Sequence, residues 1–286
     1  KLRSVVDNQA STSFEALATL SDGAEIDLDI RLAPVANGKA SGSVCTIRNI
    51  TQLKQAERAK DAFVSNVSHE LRSPVTSITL NLQLLRFKPQ KFDTYYDALL
   101  RETKRLDQLI KNLLFLSRLD QKKLTLEPTA TDINQLLANL FADRQIIAAD
   151  RQLDLEIGEL TQAPPLDVDA SLIEQALSIL LTNALHYTPS GGRVWADTLV
   201  RRQDEVDWFG IAISDTGVGV APEEREKKFE RFYHGQAGEA AQVAGTGLGL
   251  AIAAEIAALH AGKIDVASPG ESGKGSTFTL WIPINA

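Results

Sequence analysis

His69 and Glu70 stand side by side in the stretch Phe63 to Pro74, F-V-S-N-V-S-H-E-L-R-S-P, and together they carry a nucleophile and an acid that could serve it. At about 100° per residue, Phe63, Val67, Leu71, Ile78 and Leu82 fall on one stripe of a helix with Val75 at its edge, so His69 points the other way. An imidazole on the wet face has nothing to pack against. Glu70 can orient it and take up its proton. A solvated surface histidine has the same local pattern, and three blocks further along the chain decide between the two.

The first block is L-L-T-N-A-L-H-Y-T-P, Leu180 to Pro189, at the end of a helical pattern. The carboxamide of Asn183 can offer its oxygen to Mg2+, a hard cation that takes few protein ligands and completes its shell with phosphate oxygens and water. One turn later Tyr187 can lie beside an aromatic base, although Asn-Ala in a helix also serves capping and packing. The second block, S-D-T-G-V-G-V, puts Asp215 at a strand terminus, where it can accept a hydrogen bond from an exocyclic amine. Gly217 and Gly219 let the backbone approach a ligand. The third, G-T-G-L-G-L-A-I-A from Gly245, opens a helix, so the free N–H groups around Thr246, Gly247, Leu248 and Gly249 describe a phosphate site. Its spacing, with no strand-helix-strand unit around it, is not that of the dinucleotide-binding fingerprint. Between the glycine blocks, Ala221 to Ala244 holds F-E-R-F-Y-H and then small polar residues, as a lid would. Arg231 either reaches a terminal phosphate from that lid or is a solvated arginine.

The elements that must position these groups change character along the chain. Residues 1–50 alternate apolar and polar positions, with two runs joined through Asn37-Gly38 as an antiparallel hairpin. From Thr51 the pattern is helical, with Leu53, Ala56, Phe63 and Val67 at roughly heptad spacing, as in a short coiled coil. Pro74 should bend this helix one turn beyond His69. A second amphipathic helix runs from about Phe92 to Asp120, with Leu99, Leu106, Leu109 or Ile110, Leu113 and Leu116 on its stripe. One helical hairpin has too little core to stand alone, which predicts a homodimeric four-helix bundle with His69 on its flank. From about Leu124, helices near 132–149, 169–187 and 248–261 alternate with strands near 153–158, 193–200, 206–214, 263–268 and 276–283. That order predicts an α/β sandwich, one mixed sheet covered by helices on one face. Trp195, Trp208 and Trp281 all fall in strand runs and read as packing residues.

The bulk numbers bound the function. A chain of 286 residues is long enough for two or three domains, and 44% hydrophobic with 23% charged residues is a globular composition. A net charge of -7 argues against a nucleic-acid partner. Cys45 is the only cysteine and reads as a small core residue, so no intrachain disulfide forms and a reducing, cytoplasmic setting fits. No apolar run is long enough to span a bilayer, so no membrane contact is expected from this stretch. The chain starts at Lys1 and holds no methionine, as would part of a longer polypeptide, one that could carry a membrane anchor elsewhere.

In this order and at these spacings the blocks resemble the sensor histidine kinases of two-component signalling, from Ala59 to the C-terminus, including the terminal G-K-G-S-T-F-T-L-W-I-P. The resemblance implies the ATP-binding fold shared with gyrase, Hsp90 and MutL (the GHKL type), with ATP and Mg2+. It makes His69 the phosphoacceptor, Glu70 its acid–base partner, Asn183 the Mg2+ ligand and Asp215 the adenine anchor. His186, Tyr187, Gly217, Gly219, Arg231, Tyr233 and the turn Gly245, Thr246, Gly247, Leu248 and Gly249 complete the implied nucleotide set. Ser73 matches a Thr position used in dephosphorylating the partner response regulator, which implies phosphatase activity beside transfer to that regulator's aspartate. The implied organisation is a partial PAS-like sensor segment at 1–50, a coiled-coil linker at 51–62, a dimerisation and phosphotransfer hairpin at 63–121 and the ATP-binding domain at 124–286. Three positions depart from the family pattern: Ile179 where a polar residue is typical, His186 for Lys and His234 for Arg. They leave two alternatives in view, a catalytically weak nucleotide-binding scaffold or phosphatase, and a hydrolysing ATPase that would need a general base where Ile179 stands. His260 reads as structural.

Overall fold

The computed structural model describes residues 11–37, 40–233, 235, 246–270 and 273–284. The chain divides into two compact units, Lys1–His69 and Glu70–Ala286. Gly38, His234, Gly245 and most of the small-residue part of the lid lie outside the described residues.

The first unit holds a three-stranded antiparallel sheet in the order β1 (Thr12–Thr19), β2 (Glu25–Asn37) and β3 (Ala40–Asn49). The turn between β1 and β2 is closed by the Leu20 N–H donating to the Ala24 carbonyl at 2.7 Å, with Gly23 at φ +85°. Asn37 pairs with Ala40, so β2 and β3 are antiparallel neighbours, as expected. Helix α1 (Thr51–Phe87) begins where the Asn49 carboxamide accepts from the N–H and hydroxyl of Thr51 at 2.9 and 2.7 Å, as a capping residue does. Cys45 is exposed rather than a core residue. It lies on an edge strand whose neighbours Val44 and Ile47 are exposed too, because this single sheet layer buries only residues such as Leu32 and Ile50.

In the second unit, α1 runs through buried Pro74 without ending there. Proline lacks the N–H that would bond the Glu70 carbonyl, and the ladder resumes beyond it. A single turn at Pro89–Lys91 leads into α2 (Phe92–Asp120). Leu109 and Leu116 are buried and Leu71 packs against the same core, whereas Val75 and Leu82 of the expected stripe, with Leu100, Ile110 and Leu114, stay exposed. One neighbouring helix covers only part of an amphipathic stripe.

The remaining chain folds as the predicted mixed sheet with helices. Its elements are β4 (Thr129–Thr131), α3 (Ile133–Asp150), β5 (Asp154–Ile157), β6 (Leu166–Val168), α4 (Ala170–Tyr187), β7 (Arg193–Gln203), β8 (Val206–Asp215), α5 (Gly249–Leu259), β9 (Lys263–Ala267) and β10 (Thr277–Pro283). The main sheet has the order β5-β7-β8-β10-β9, parallel only between β5 and β7. Along β7 the period of two separates buried Val194, Ala196 and Thr198 from Arg193, Trp195 and Asp197, where Arg193 sits 5.0 Å over the Trp195 ring. Trp281 is buried against Gly210, where a side chain would collide with its ring. Asp132 and Asp169 cap α3 and α4, each accepting from N–H groups of the first turn. The Asp169 N–H itself donates to His260 Nε2 at 3.1 Å while His260 Nδ1 donates to the Ile256 carbonyl at 2.8 Å, so His260 is a buried cross-brace, as the sequence predicts. The short pair β4–β6 is too brief to leave a periodic signal.

Candidate active site

Three elements converge on one cleft in the α/β layer. The end of α4 supplies Asn183 and Tyr187 one turn apart, the end of β8 supplies Asp215, and the turn before α5 supplies Thr246 and Gly247. Gly219 and Tyr233 also line it. Asp215 is buried, and burial pushes its carboxyl above the ordinary carboxylate range, opposed by the N–H groups of Gly217 and Ser276. The Gly217 N–H donates to Asp215 Oδ1 at 2.7 Å, and a Cβ at Gly217 would come within 2.5 Å of the Tyr187 carbonyl. That glycine is therefore required for the backbone to pass beneath Asp215. The Asn183 carboxamide makes no hydrogen bond among the described residues. No side chain caps the start of α5 at Gly249, so its first N–H groups stay free for an acceptor.

A second, more open cleft shares Asn183 and Thr246 with the first. His186 and Gly249 line this one, together with Arg118 and Arg144. Partial burial, with the Arg151 guanidinium nearby, pushes the His186 imidazole below its usual range. A Cβ at Gly249 would meet Ile179 at 3.2 Å, so the apolar side chain at that position packs against the helix start. Leu248 is wholly buried and faces the core, leaving only its backbone near the turn.

Arg231 is not in the cleft lining. Its guanidinium is held by Asp120 at 2.8 and 3.0 Å and by Glu255 at 3.4 Å, which uses the donors that a phosphate would need. The base of the lid is fastened by Phe229 edge-on to Phe278 at 6.5 Å, and by the Phe232 N–H donating to the Gly247 carbonyl at 2.8 Å. On α1, His69 and Ser73 are exposed, while the Glu70 carboxylate accepts from Arg105 Nη2 at 3.3 Å. In this structure Glu70 is therefore engaged by a guanidinium from α2. Lys228 and Ser276 also line the first cleft, and the sequence reading gave neither a role. Ser276 lies inside the terminal G-K-G-S-T-F block, which was the available signal; Lys228 sits in a Lys-Lys pair that reads as solvated.

The profile described as "Histidine kinase-, DNA gyrase B-, and HSP90-like ATPase" matches residues 168–286, and that described as "His Kinase A (phospho-acceptor) domain" matches residues 59–122. The sensor-like histidine kinase SenX3 of Mycolicibacterium smegmatis is 30% identical over 281 residues, covering 91% of this chain and 71% of that protein. The chain belongs to the sensor histidine kinases. SenX3 of Mycobacterium tuberculosis is 35% identical over 247 residues, 84% of this chain and 58% of its own length. The histidine kinase AdeS of Acinetobacter baumannii matches in structure with a TM-score of 0.61 at 28% identity, covering 76% of this chain and 98% of that one. The chain thus spans somewhat over half the length of the Mycobacterium tuberculosis SenX3. The match over residues 168–286 implies ATP for the kinase's first cleft, whose lining falls within that range. Among the described residues no helix is long and apolar enough to cross a membrane.

Proposed function

We propose that this chain is the catalytic part of a homodimeric protein histidine kinase, which phosphorylates itself on His69 and passes the phosphoryl group to an aspartate of a response regulator. The observation that carries the reading is the convergence of Asn183, Tyr187, Asp215, Gly219, Thr246 and Gly247 on one cleft, in a chain whose His69 is exposed on a separate helix. In that cleft Asp215 accepts from the adenine amine and Tyr187 flanks the base. The uncapped start of α5 receives the phosphates. Asn183, whose carboxamide has no other partner among the described residues, would hold Mg2+, which when bound would supply charge neutralisation for the transferring group. A ring nitrogen of His69 attacks the γ-phosphorus, the bond to the β,γ-bridging oxygen breaks, and ADP leaves. Glu70, once released from Arg105, takes the imidazole proton. Ser73, on the same exposed face one turn on, positions water for dephosphorylating the regulator.

Incubation with γ-labelled Mg-ATP tests this. A label that survives base and is lost in acid, absent from His69→Gln, is the expected result; identical behaviour of the two proteins overturns it. The hydrolysing-ATPase reading is disfavoured because Ile179 packs against Gly249 and offers no base. For residues 1–50 we propose the tail of a PAS-like input module, followed by the linker 51–62, the hairpin 63–121 and the ATP-binding domain 124–286.

A further inference from the structure

Lys228 is a charged group inside the nucleotide cleft that none of the glycine or asparagine blocks accounts for. It belongs to the short turn Lys227–Phe229 and lines the first cleft together with Tyr187, Asp215 and Tyr233. Its side chain is only 12% exposed, and Nζ lies 5.8 Å from the centre of the Tyr187 ring. The one carboxylate that faces it among the described residues, Glu224, is 4.0 Å away, beyond hydrogen-bond distance, and accepts from the Tyr233 hydroxyl at 3.2 Å. Burial lowers the ammonium's pKa, and Glu224 works against that shift. Across from the ammonium the chain carries Gly235, where a Cβ would come within 2.9 Å of Nζ, so the space beside the charge is kept free of a side chain.

Position along the cleft says which part of a nucleotide this group meets. Asn183 and Thr246 line both clefts and Gly249 lines the second, which puts the phosphate end at their junction. Lys228 lines only the first cleft, against Tyr187 and with Asp215, at the base end. An ammonium whose nearest carboxylate lies beyond hydrogen-bond distance, in the same cleft as the buried carboxylate of Asp215, gives a donor and an acceptor that can meet one edge of a purine. We propose that Lys228 is a specificity-determining residue that donates to a ring nitrogen of the adenine whose amine donates to Asp215, its aliphatic stem covering the base. This rests on the reading of the cleft as a nucleotide site.

Calorimetric titration of the full chain with adenosine, ADP and GDP, for the wild type, Lys228→Met and Lys228→Arg, tests it. Methionine keeps the stem and removes the donors. Lys228→Met should bind adenosine and ADP about tenfold more weakly, by the same factor for both, with Lys228→Arg recovering part of the loss and circular dichroism reporting an unchanged fold. Unchanged ADP affinity in a folded Lys228→Met overturns the proposal. A loss seen with ADP but not with adenosine does so too, since it would place the contact on phosphate. A wild type that binds neither adenosine nor ADP overturns the nucleotide reading itself, and the two failures are thereby told apart.

Discussion

The hairpin from Glu70 onward and the α/β layer that follows it are both built from amphipathic helices, yet they end in opposite states. In the layer, α4 and α5 bury Ile173, Leu177, Leu181, Ile252 and Ile256 completely against the sheet and each other. In the hairpin, Leu82 and Leu114 are each 55% exposed and Ile110 is 45% exposed. The α/β layer finds all its partners within the chain and so holds a preformed cleft. The hairpin has a spare apolar face, which is what an incomplete bundle looks like. The cleft lies in the part that is complete in one copy, and the spare apolar face in the helical hairpin.

The sharpest test of that contrast is a pair of side-chain truncations. Leu177→Ala removes a fully buried side chain from a layer that cannot collapse around the gap, and should cost about 2–5 kcal/mol in urea unfolding. Ile110→Ala should leave the stability of an isolated copy nearly unchanged and weaken self-association by about 1–3 kcal/mol per copy, read by sedimentation equilibrium. Equal effects of the two on unfolding, or an unaltered association constant for the second, would dissolve the distinction between a finished and an unfinished core.

A smaller effect is expected where the layer braces itself with polar groups. His260→Ala removes the acceptor of the Asp169 N–H and the donor to the Ile256 carbonyl, in a buried position. The cost should be about 1–3 kcal/mol of unfolding free energy, with the cleft's nucleotide affinity preserved. An exposed polar contact of the hairpin, Lys111–Asp107 at 2.7 Å, is the counterpart: its truncation should change stability by less than about 1 kcal/mol.

How much of this was legible in the sequence follows the range of the forces involved. Asn183, Tyr187 and Asp215 were legible only together: the Asn-Ala helix end and the Asp-x-Gly-x-Gly turn are each weak alone, and their order along the chain gave them weight. The helices and main strands emerged near their predicted bounds because periodicity is a local signal. Cys45 was misread because alternation reports a strand and not whether a second layer covers it. Arg231 and Glu70 were assigned by motif, but their partners Asp120 and Arg105 come from distant parts of the chain, which no local pattern announces. Lys228 belongs to none of the sequence blocks, and the ring it lies over, Tyr187, is more than forty positions earlier in the chain.

The weakest expected effect lies where the two regions meet, at Asp120 of the hairpin, Arg231 below the lid and Glu255 of α5. The Arg231 guanidinium hydrogen-bonded to Asp120 holds that carboxyl below its ordinary range, although desolvation opposes it. A carboxyl with a depressed folded pKa contributes stability that is full above the unfolded value, near about 4, and is lost as pH falls through the lower folded value. Asp120 is half exposed, so the contribution should be only about 0.2–1 kcal/mol and should shrink with added salt. Asp120→Asn should therefore flatten the acid limb of the stability curve slightly and do nothing at neutral pH beyond that small loss. Its larger consequence should be on nucleotide affinity. Freed from Asp120, Arg231 has donors to offer a terminal phosphate, so the variant should bind ATP more tightly relative to ADP than the wild type does, and an unchanged ATP-to-ADP ratio would show that the ion pair merely ties the two regions together.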